Sequence, residues 1–158
     1  MTEHSTFVDA PPEDVFATLS DPGAYGEWVV GAERVWSADD HWPQVGATFE
    51  HTQGRWPLRL RDTTSVLECR PGERLVLEAR ARPLLVARVE IELRPEEAGT
   101  RVVIRETATG GPARRLRPVV DRLVWLRNVE TLRRLSTIVE RRRGATASAP
   151  PEGVPSPS

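Results

Sequence analysis

The sequence contains no lysine, a single cysteine and no long hydrophobic run, and each shortage limits what the protein can be. With Cys69 alone no internal disulfide can form, which favours a reducing compartment, and we expect a cytoplasmic protein. No apolar stretch approaches the roughly 18 residues of a transmembrane helix, and residues 1–5 do not resemble the start of a secretory signal. We attribute the exclusive use of arginine to genome-wide base composition, with surface ion-pair networks as the alternative.

Few features of the sequence point to nucleic acid, metal or cofactor chemistry. The formal net charge is −1 over 158 residues, whereas nucleic-acid-binding domains are usually strongly basic. The length suits one domain with its own core. The spacing of His4, His41 and His51 is not that of a metal site, and Cys69 has no nearby thiol. No serine lies in a nucleophile elbow and no glycine-rich phosphate loop is present, so we predict no cofactor.

The pattern predicts a strand, two short helices, a series of strands and a long helix. Residues 5–9 predict the first strand, and Pro11 and Pro12 begin a helix that ends at Asp21-Pro22. Residues 24–29 predict a second short helix, with Trp28 expected in the core. Alternation of apolar and polar residues predicts six further antiparallel strands, at 33–38, 47–53, 58–69, 74–82, 84–94 and 100–108.

One face of this sheet is expected to be covered by the last helix. Val89, Ile91 and Leu93 point to the covered face, while the residues between them are charged. Residues 113–143 repeat apolar side chains at near-helical spacing and predict one long helix. Residues 144–158 are rich in Pro, Ser and Ala and predict a disordered tail, so the domain is expected to occupy residues 1–143.

This arrangement resembles the START-like helix-grip fold of the SRPBCC superfamily, and in particular its bacterial polyketide cyclase/dehydrase and lipid-transport group. The motifs that carry the resemblance are Val8-Asp9-Ala10-Pro11-Pro12-Glu13-Asp14-Val15-Phe16, Leu19-Ser20-Asp21-Pro22 with Trp28, Val66-Leu67-Glu68, Pro71-Gly72-Glu73-Arg74-Leu75, Gly99-Thr100-Arg101-Val102 and Arg127-Asn128-Val129-Glu130-Thr131-Leu132-Arg133-Arg134-Leu135. The similarity covers about residues 4–143.

The resemblance implies an α+β fold in which an antiparallel sheet wraps around a long C-terminal helix. It also implies a hydrophobic or amphipathic ligand, such as a lipid or a polyketide-like compound, in a cavity between sheet and helix. Members of the family share this cavity but no catalytic motif, so the resemblance assigns no active site.

Polar residues on the covered face of the strands are the first candidates for the site. Asp62 and Thr64 in the long strand, and Ile104 and Glu106 in the last strand, have the parity of covered residues. A desolvated carboxylate has a raised pKa and can act as a general acid or base, so Glu106, Asp62 and His51 are the candidate catalytic residues. A register slip or bulge would instead turn the carboxylates outward.

Phe49, Trp125 and Asn128 complete the predicted ligand-binding residues. Phe49 has the same strand parity as the candidate histidine, and Trp125 is expected to pack toward the sheet, either in the cavity or in the core. Asn128 interrupts the apolar face of the last helix and is expected to bond either a ligand or the fold. The loop residues Trp42 and Trp56 are expected either to form a cavity lid or contact surface or to fold back over their loops.

The last helix is strongly basic, with ten arginines and three acidic residues between 112 and 143. Its net charge is therefore +7, and because the whole chain carries −1, the rest of the chain carries −8. This excess predicts either pairing within the molecule or an anionic partner, such as a membrane surface or an acyl-carrier protein.

Three functions therefore stay open. They are a non-catalytic carrier or sensor of a hydrophobic small molecule, an aromatase/cyclase that acts on a polyketide by acid/base chemistry, and a protein-interaction module that uses the arginine-rich helix. A mostly apolar cavity would favour the first, and two ionisable groups a substrate's width apart would favour the second. A cavity filled by side chains would favour the third.

Overall fold

The computed structural model describes residues 1–53 and 60–148, apart from the side chains of residues 33, 34, 36, 53, 60, 114 and 117. The chain begins with strand β1 (Thr2–Val8), helix α1 (Pro12–Leu19), a 3-10 turn (Pro22–Ala24) and helix α2 (Tyr25–Trp28). The strands that follow are β2 (Ala32–Ala38), β3 (Thr48–Gln53), β4 (Leu60–Arg70), β5 (Arg74–Ala81), β6 (Leu85–Glu96) and β7 (Gly99–Gly110). A 3-10 segment (Pro112–Leu116) leads into helix α3 (Arg117–Ala147).

The seven strands form one antiparallel sheet in the order β1-β7-β6-β5-β4-β3-β2. The first strand therefore pairs with the last, with Val8 opposite Thr100. Helix α3 lies mainly against β1, and α1 and α2 pack against α3. The core fills the space between the inner face of the sheet and the three helices. This architecture confirms the predicted helix-grip α+β fold. Within the described part of the chain, no helix combines the length and hydrophobicity needed to cross a membrane.

Local chemistry accounts for the two short helices. Pro12 occupies the start of α1, where its missing N–H costs nothing, and Glu13 and Asp14 lie in the first turn, where the helix dipole favours negative charge. The helix ends before Asp21, whose carboxylate accepts a hydrogen bond from the Gly23 N–H at 2.9 Å and so begins the next turn.

The outer face of the sheet carries the charged residues that alternation predicted. Arg74 binds Glu90 at 2.9 Å, and Glu92 lies between Arg94 and Arg105, each at 2.9 Å. Hydrogen bonds from these two arginines lower the pKa of Glu92 to about 2. Ile91 and Leu93, on the other face, are buried in the core. Cross-strand pairs of this kind contribute roughly 0.2–1 kcal/mol each, so they specify the register more than they stabilise the fold.

The C-terminal half of α3 is held to the rest of the molecule by ion pairs. Arg142 binds Asp21 at 3.0 Å, Arg141 approaches Glu27 at 3.4 Å and Arg143 approaches Asp9 at 3.5 Å. All are exposed, so each contributes at most about 1 kcal/mol. Pairing within the molecule therefore accounts for this part of the arginine excess.

The long helix extends past the boundary that the sequence predicted. It continues through Ala147, so residues 144–147, which were assigned to the tail, are helical. Gly144 does not end the helix, because glycine inside a helix costs only about 1 kcal/mol and alanines follow it. The remainder of the predicted tail, residues 149–158, lies outside the described residues.

Of the two loop tryptophans, Trp42 lies within the described residues. The Trp42 ring packs edge-on against Phe49, with ring centroids 4.5 Å apart, and its Nε1–H approaches the Leu19 carbonyl oxygen at 3.5 Å. Trp42 therefore packs against the core, whereas the sequence predicted either a lid or contact surface or folding back over its loop. Trp56, and the first residues of the predicted strand 58–69, lie outside the described residues.

Gly99 allows the end of β1 to approach β7, and Gly99→Ala should destabilise the protein. A Cβ at this position would overlap the Val8 carbonyl oxygen and come 3.2 Å from the Ala10 nitrogen, so the backbone must move. We expect a loss of about 1–3 kcal/mol in the free energy of unfolding, measured by urea denaturation.

Gly144→Ala provides the matched control for this substitution. Nothing described lies within 4 Å of a Cβ at Gly144, and the residue is helical, so alanine should add about 1 kcal/mol. Equal stability of the two variants would contradict the proposed close approach at Gly99.

Candidate functional site

A cavity lies between the inner face of the sheet, α2 and α3, with a volume of about 40 Å³. Its apolar wall is formed by strands β5 to β7 and consists of Leu77, Ala79, Val89, Ile91 and Ile104. Asp62 and Thr64 continue the same sheet face on β4, where Thr64 pairs with Ala79, while Arg127, Asn128 and Thr131 come from α3 and Tyr25, Trp28 and Val29 from the α2 end. The volume holds only a few water molecules, whereas small-molecule sites usually measure about 300–1,000 Å³.

A buried carboxylate behind the cavity connects β7 to α3. One oxygen of Glu106, Oε2, accepts hydrogen bonds from Arg127 Nη2 at 2.6 Å and from Asn128 Nδ2 at 3.2 Å. Glu106 and Asn128 are almost fully buried. Asn128 thus bonds to the fold, which is one of its two predicted alternatives, and it also lines the cavity.

Asp62 is a buried carboxylate that lines the cavity directly. Its Oδ1 accepts a hydrogen bond from the Arg80 backbone N–H at 3.0 Å. Burial raises the pKa of Asp62 to about 6, although the Arg80 N–H and the charge of Arg127 both lower it. A carboxyl group with this pKa exchanges its proton near neutral pH and could serve as a general acid or base.

His51 lies behind Asp62 rather than in the cavity wall. Its Nε2 is 3.8 Å from Asp62 Oδ2, which is too long for a direct hydrogen bond. Burial, with a contribution from Arg127, lowers the pKa of His51 to about 4, so the ring is neutral at physiological pH. Its Nδ1 has no hydrogen-bond partner among the described residues.

An aromatic group surrounds His51 and closes this end of the site. Tyr25 makes edge contacts with His51, Phe49 and Trp28, at centroid distances of 5.0, 4.4 and 5.2 Å. Burial and the nearby Asp62 carboxylate raise the pKa of Tyr25, so its phenol stays protonated and can donate a hydrogen bond.

The structure divides the predicted site residues into three groups. Thr64, Ile104, Asp62 and Asn128 line the cavity. Glu106, His51 and Phe49 are buried one layer behind the lining residues. Trp125 belongs to neither layer.

Trp125 contacts the sheet, as predicted, but it lies neither in the cavity nor in the core. The side chain is 46% exposed, and its ring contacts the edge of His4 on β1 with centroids 5.2 Å apart. Helical geometry gives the reason, because three residues before Asn128 the helix surface is turned by about 60°. Asn128 faces the cavity, so Trp125 lies beside β1 instead.

Several lining residues were not predicted as such, among them Trp28, Tyr25 and Arg127. Trp28 was expected in the core, and it is buried, but it also lines the cavity, and its Nε1–H has no acceptor among the residues described. Tyr25 precedes it by one helical turn on the same face, which is the signal that could have found it. Arg127 was named only in the family motif of the last helix and among its arginines, and not as a site residue, although it directly precedes Asn128.

The described residues include no group of three His, Cys, Asp or Glu side chains that could hold a metal ion. Cys69 is half-buried, and burial raises the pKa of its thiol. A thiol with a raised pKa is a poor nucleophile at neutral pH.

Residues 2–140 match a family described as polyketide cyclase/dehydrase and lipid transport. Among solved structures, protein CV1439 from Chromobacterium violaceum is 22% identical, with a TM-score of 0.66 over 88% of this chain and 96% of that one. The di-domain ARO/CYC StfQ from the steffimycin biosynthetic pathway is 18% identical, with a TM-score of 0.73 over 90% of this chain. This chain spans about half of StfQ, 51% of its length. No curated protein matches the sequence significantly. The structural likenesses show a shared fold.

Replacing Asp62 with asparagine should change how stability depends on pH. Because folding raises the pKa of Asp62 from 3.8 to about 6, the native state binds this proton more tightly, and the resulting stability is lost as pH rises through 6. Asparagine can still accept the Arg80 hydrogen bond. Between pH 7 and pH 4 the stability of Asp62→Asn relative to the natural protein should fall by about 2–3 kcal/mol.

His51→Gln should behave in the opposite way in the same urea titrations. Folding lowers the pKa of His51 from 6.5 to about 4, so the natural protein loses stability as pH falls through this window. The glutamine variant should therefore gain relative stability on acidification. Parallel pH profiles for the two variants and the natural protein would show that neither group is perturbed by burial.

Proposed function

Because the chain belongs to the polyketide cyclase/dehydrase and lipid transport family, we propose that it binds an uncharged amphipathic small molecule, of lipid or polyketide-like chemistry, in the cavity between its sheet and α3. It would act as a carrier or sensor. Its single cysteine favours a reducing compartment, so we place this function in the cytoplasm.

The observation that carries the proposal is the contrast between the two sides of the cavity. Leu77, Val89 and Ile91 of the sheet present an apolar wall, while Asn128 and Thr131 of α3 supply polar groups that can fix one end of a ligand. The Trp28 Nε1–H is buried with no acceptor in the described parts of the chain, which is costly unless water or a ligand oxygen accepts it.

The charges of the site favour an uncharged ligand. Arg127 already donates to Glu106, so it offers no free cation for an acidic headgroup. Asp62 lines the same cavity and would repel a carboxylate or phosphate once it is ionised. A carbonyl or hydroxyl oxygen on an apolar body fits these groups better, because it can accept from the Trp28 N–H.

The small volume implies that the cavity expands when a ligand binds. About 40 Å³ cannot contain a lipid or an aromatic polyketide, so some lining side chains must move. The energy of that rearrangement reduces the observed affinity, as in any site that is mostly closed without its ligand.

A second candidate function, acid/base catalysis of polyketide cyclisation, is favoured by Asp62. A carboxyl group that lines the cavity and has a pKa near 6 can remove a proton from the carbon between two carbonyl groups and return one to an oxygen. Arg127 also lines the cavity, and its positive charge would attract the enolate that forms while its Nη2 stays bonded to Glu106. Glu106 is held by two hydrogen bonds behind the wall and is the weaker candidate for this role.

Ala79→Phe tests the binding proposal, because it places a large side chain in the apolar wall. The probe is prodan, an uncharged naphthalene ketone whose fluorescence rises and shifts to the blue in apolar sites. We expect the natural protein to bind it with energy transfer from Trp28, and Ala79→Phe to weaken binding by about tenfold or more.

Ala98→Phe is the matched control, since Ala98 is exposed in the β6–β7 turn, and it should bind prodan as the natural protein does. Equal affinity of the two phenylalanine variants would mean that the probe binds outside the cavity and would refute the proposal.

The catalytic candidate is tested with a linear poly-β-keto thioester and chromatography of its cyclised products. Asp62→Asn should keep prodan affinity and lose at least about a hundredfold of the cyclisation rate, and the natural rate should rise with pH through about 6. Glu106→Gln serves as the comparison variant. Identical product yields with and without protein would remove the catalytic candidate and leave the binding proposal intact.

A further inference from the structure

The N-terminal part of the long helix exposes a row of large apolar side chains toward solvent. Leu116, Val119, Leu123 and Leu126 are 64, 60, 62 and 50% exposed, and we call these four residues the apolar ridge. Val119, Leu123 and Leu126 are spaced four and three residues apart and so share one face of α3, and Leu116 ends the 3-10 segment that leads into the helix.

The apolar ridge does not face the body of the protein. The buried residues of α3 include Asn128, Leu132 and Leu135, which lie on the opposite side of the helix. The ridge also stops abruptly, because the next positions on its face are Glu130, Arg133 and Thr137. Folding explains the buried face but not four exposed apolar side chains, which typically mark a surface that meets another phase or partner.

The charges beside the apolar ridge indicate what it meets. Arg115 and Arg122 each directly precede a ridge leucine and are exposed, and neither has an ion pair among the described residues. Five arginines and one acidic residue occur between 112 and 129. That acid, Asp121, lies two turns before the buried Asn128 and so on the inner side of the helix. The arginines of the C-terminal half, by contrast, are paired with acids of the same chain.

From this combination we propose that the apolar ridge, with Arg115 and Arg122, docks the protein on an anionic lipid surface. Leucine side chains on the exposed face of a helix can enter the boundary between lipid headgroups and acyl chains, while flanking arginines contact the anionic headgroups. Each such arginine contributes a binding factor of about fivefold.

A second copy of the chain fits this face less well. The two-fold axis of a symmetric pair would pass near residue 121, the midpoint of the ridge, and would bring the two Arg122 side chains together. Like charges at such an interface repel each other, whereas an anionic surface attracts both.

The test is flotation of the full chain with vesicles of equal parts phosphatidylglycerol and phosphatidylcholine, compared with vesicles of phosphatidylcholine alone. We expect flotation with the anionic vesicles only, and its loss at high salt. Leu123→Glu/Leu126→Glu should reduce the partition coefficient by about tenfold or more, and Arg115→Gln/Arg122→Gln by about twenty- to thirtyfold.

Leu67→Glu is the matched control, because Leu67 is also a leucine, 42% exposed, but lies at the bulge of β4 and not on the apolar ridge. It should float as the natural protein does. Thermal unfolding and prodan binding of all variants should be unchanged, which separates this proposal from ligand binding in the cavity.

Several outcomes would overturn the proposal. The first is that Leu123→Glu/Leu126→Glu floats as much as the natural protein, and the second is that the natural protein binds uncharged vesicles equally well. The third is that the natural protein does not float but forms a dimer, seen by light scattering, that becomes a monomer in Leu123→Glu/Leu126→Glu. Ridge-dependent binding to an acyl-carrier protein without flotation would also overturn it and would assign the face to an acidic protein.

Discussion

The buried carboxylate of Glu106 is the constraint on which the site depends. A carboxylate with so little exposure needs partners, and Arg127 and Asn128 donate to the same oxygen, at 2.6 and 3.2 Å. Burying such a pair gains little net stability, because desolvation offsets the attraction. Its effect is positional: it fixes which face of α3 meets the sheet at β7. Three residues later, the Thr131 hydroxyl accepts the Val30 N–H at 3.2 Å, which fixes the same face against the end of α2.

This fixed helix position sets the electrostatics of the cavity. Arg127 lowers the pKa values of both Asp62 and His51, but burial acts on the two groups in opposite directions. Burial favours the uncharged form of each, so it raises the pKa of the carboxyl group and lowers that of the imidazole. Near neutral pH His51 is therefore neutral, while Asp62 is close to the midpoint of its titration. Asp62 is thus the lining carboxyl group whose charge changes near neutral pH. A cavity with one such group suits an uncharged ligand and offers few groups for acid/base catalysis.

The sequence predicted the inward-facing strand residues because side chains in strands alternate strictly. Thr64 and Asp62 have the parity of Val66, and the bulge in β4 falls after Val66, so it does not disturb them. The last helix was harder to predict. Its first half carries apolar residues on several faces, so periodicity gave no unique inner side, and Trp125 was misplaced. Arg127 was missed because its partner, Glu106, lies on another element, 21 residues away in sequence. Only the packing of α3 against β7 brings the two side chains together.

The two halves of α3 have different surfaces for a physical reason. The C-terminal half rests on β1, α1 and α2, and its outward face is charged, as expected for a helix that covers a core. The N-terminal half has apolar residues on both its inner and outer faces, which folding alone does not require. The boundary between the halves falls at Leu126 and Arg127, and these neighbours belong to the apolar ridge and to the cavity wall. A helix turns by about 100° per residue, so whatever contacts Leu126 lies within one turn of the groups that line the cavity. Binding at the outer face and rearrangement of the cavity wall therefore involve the same turn of helix.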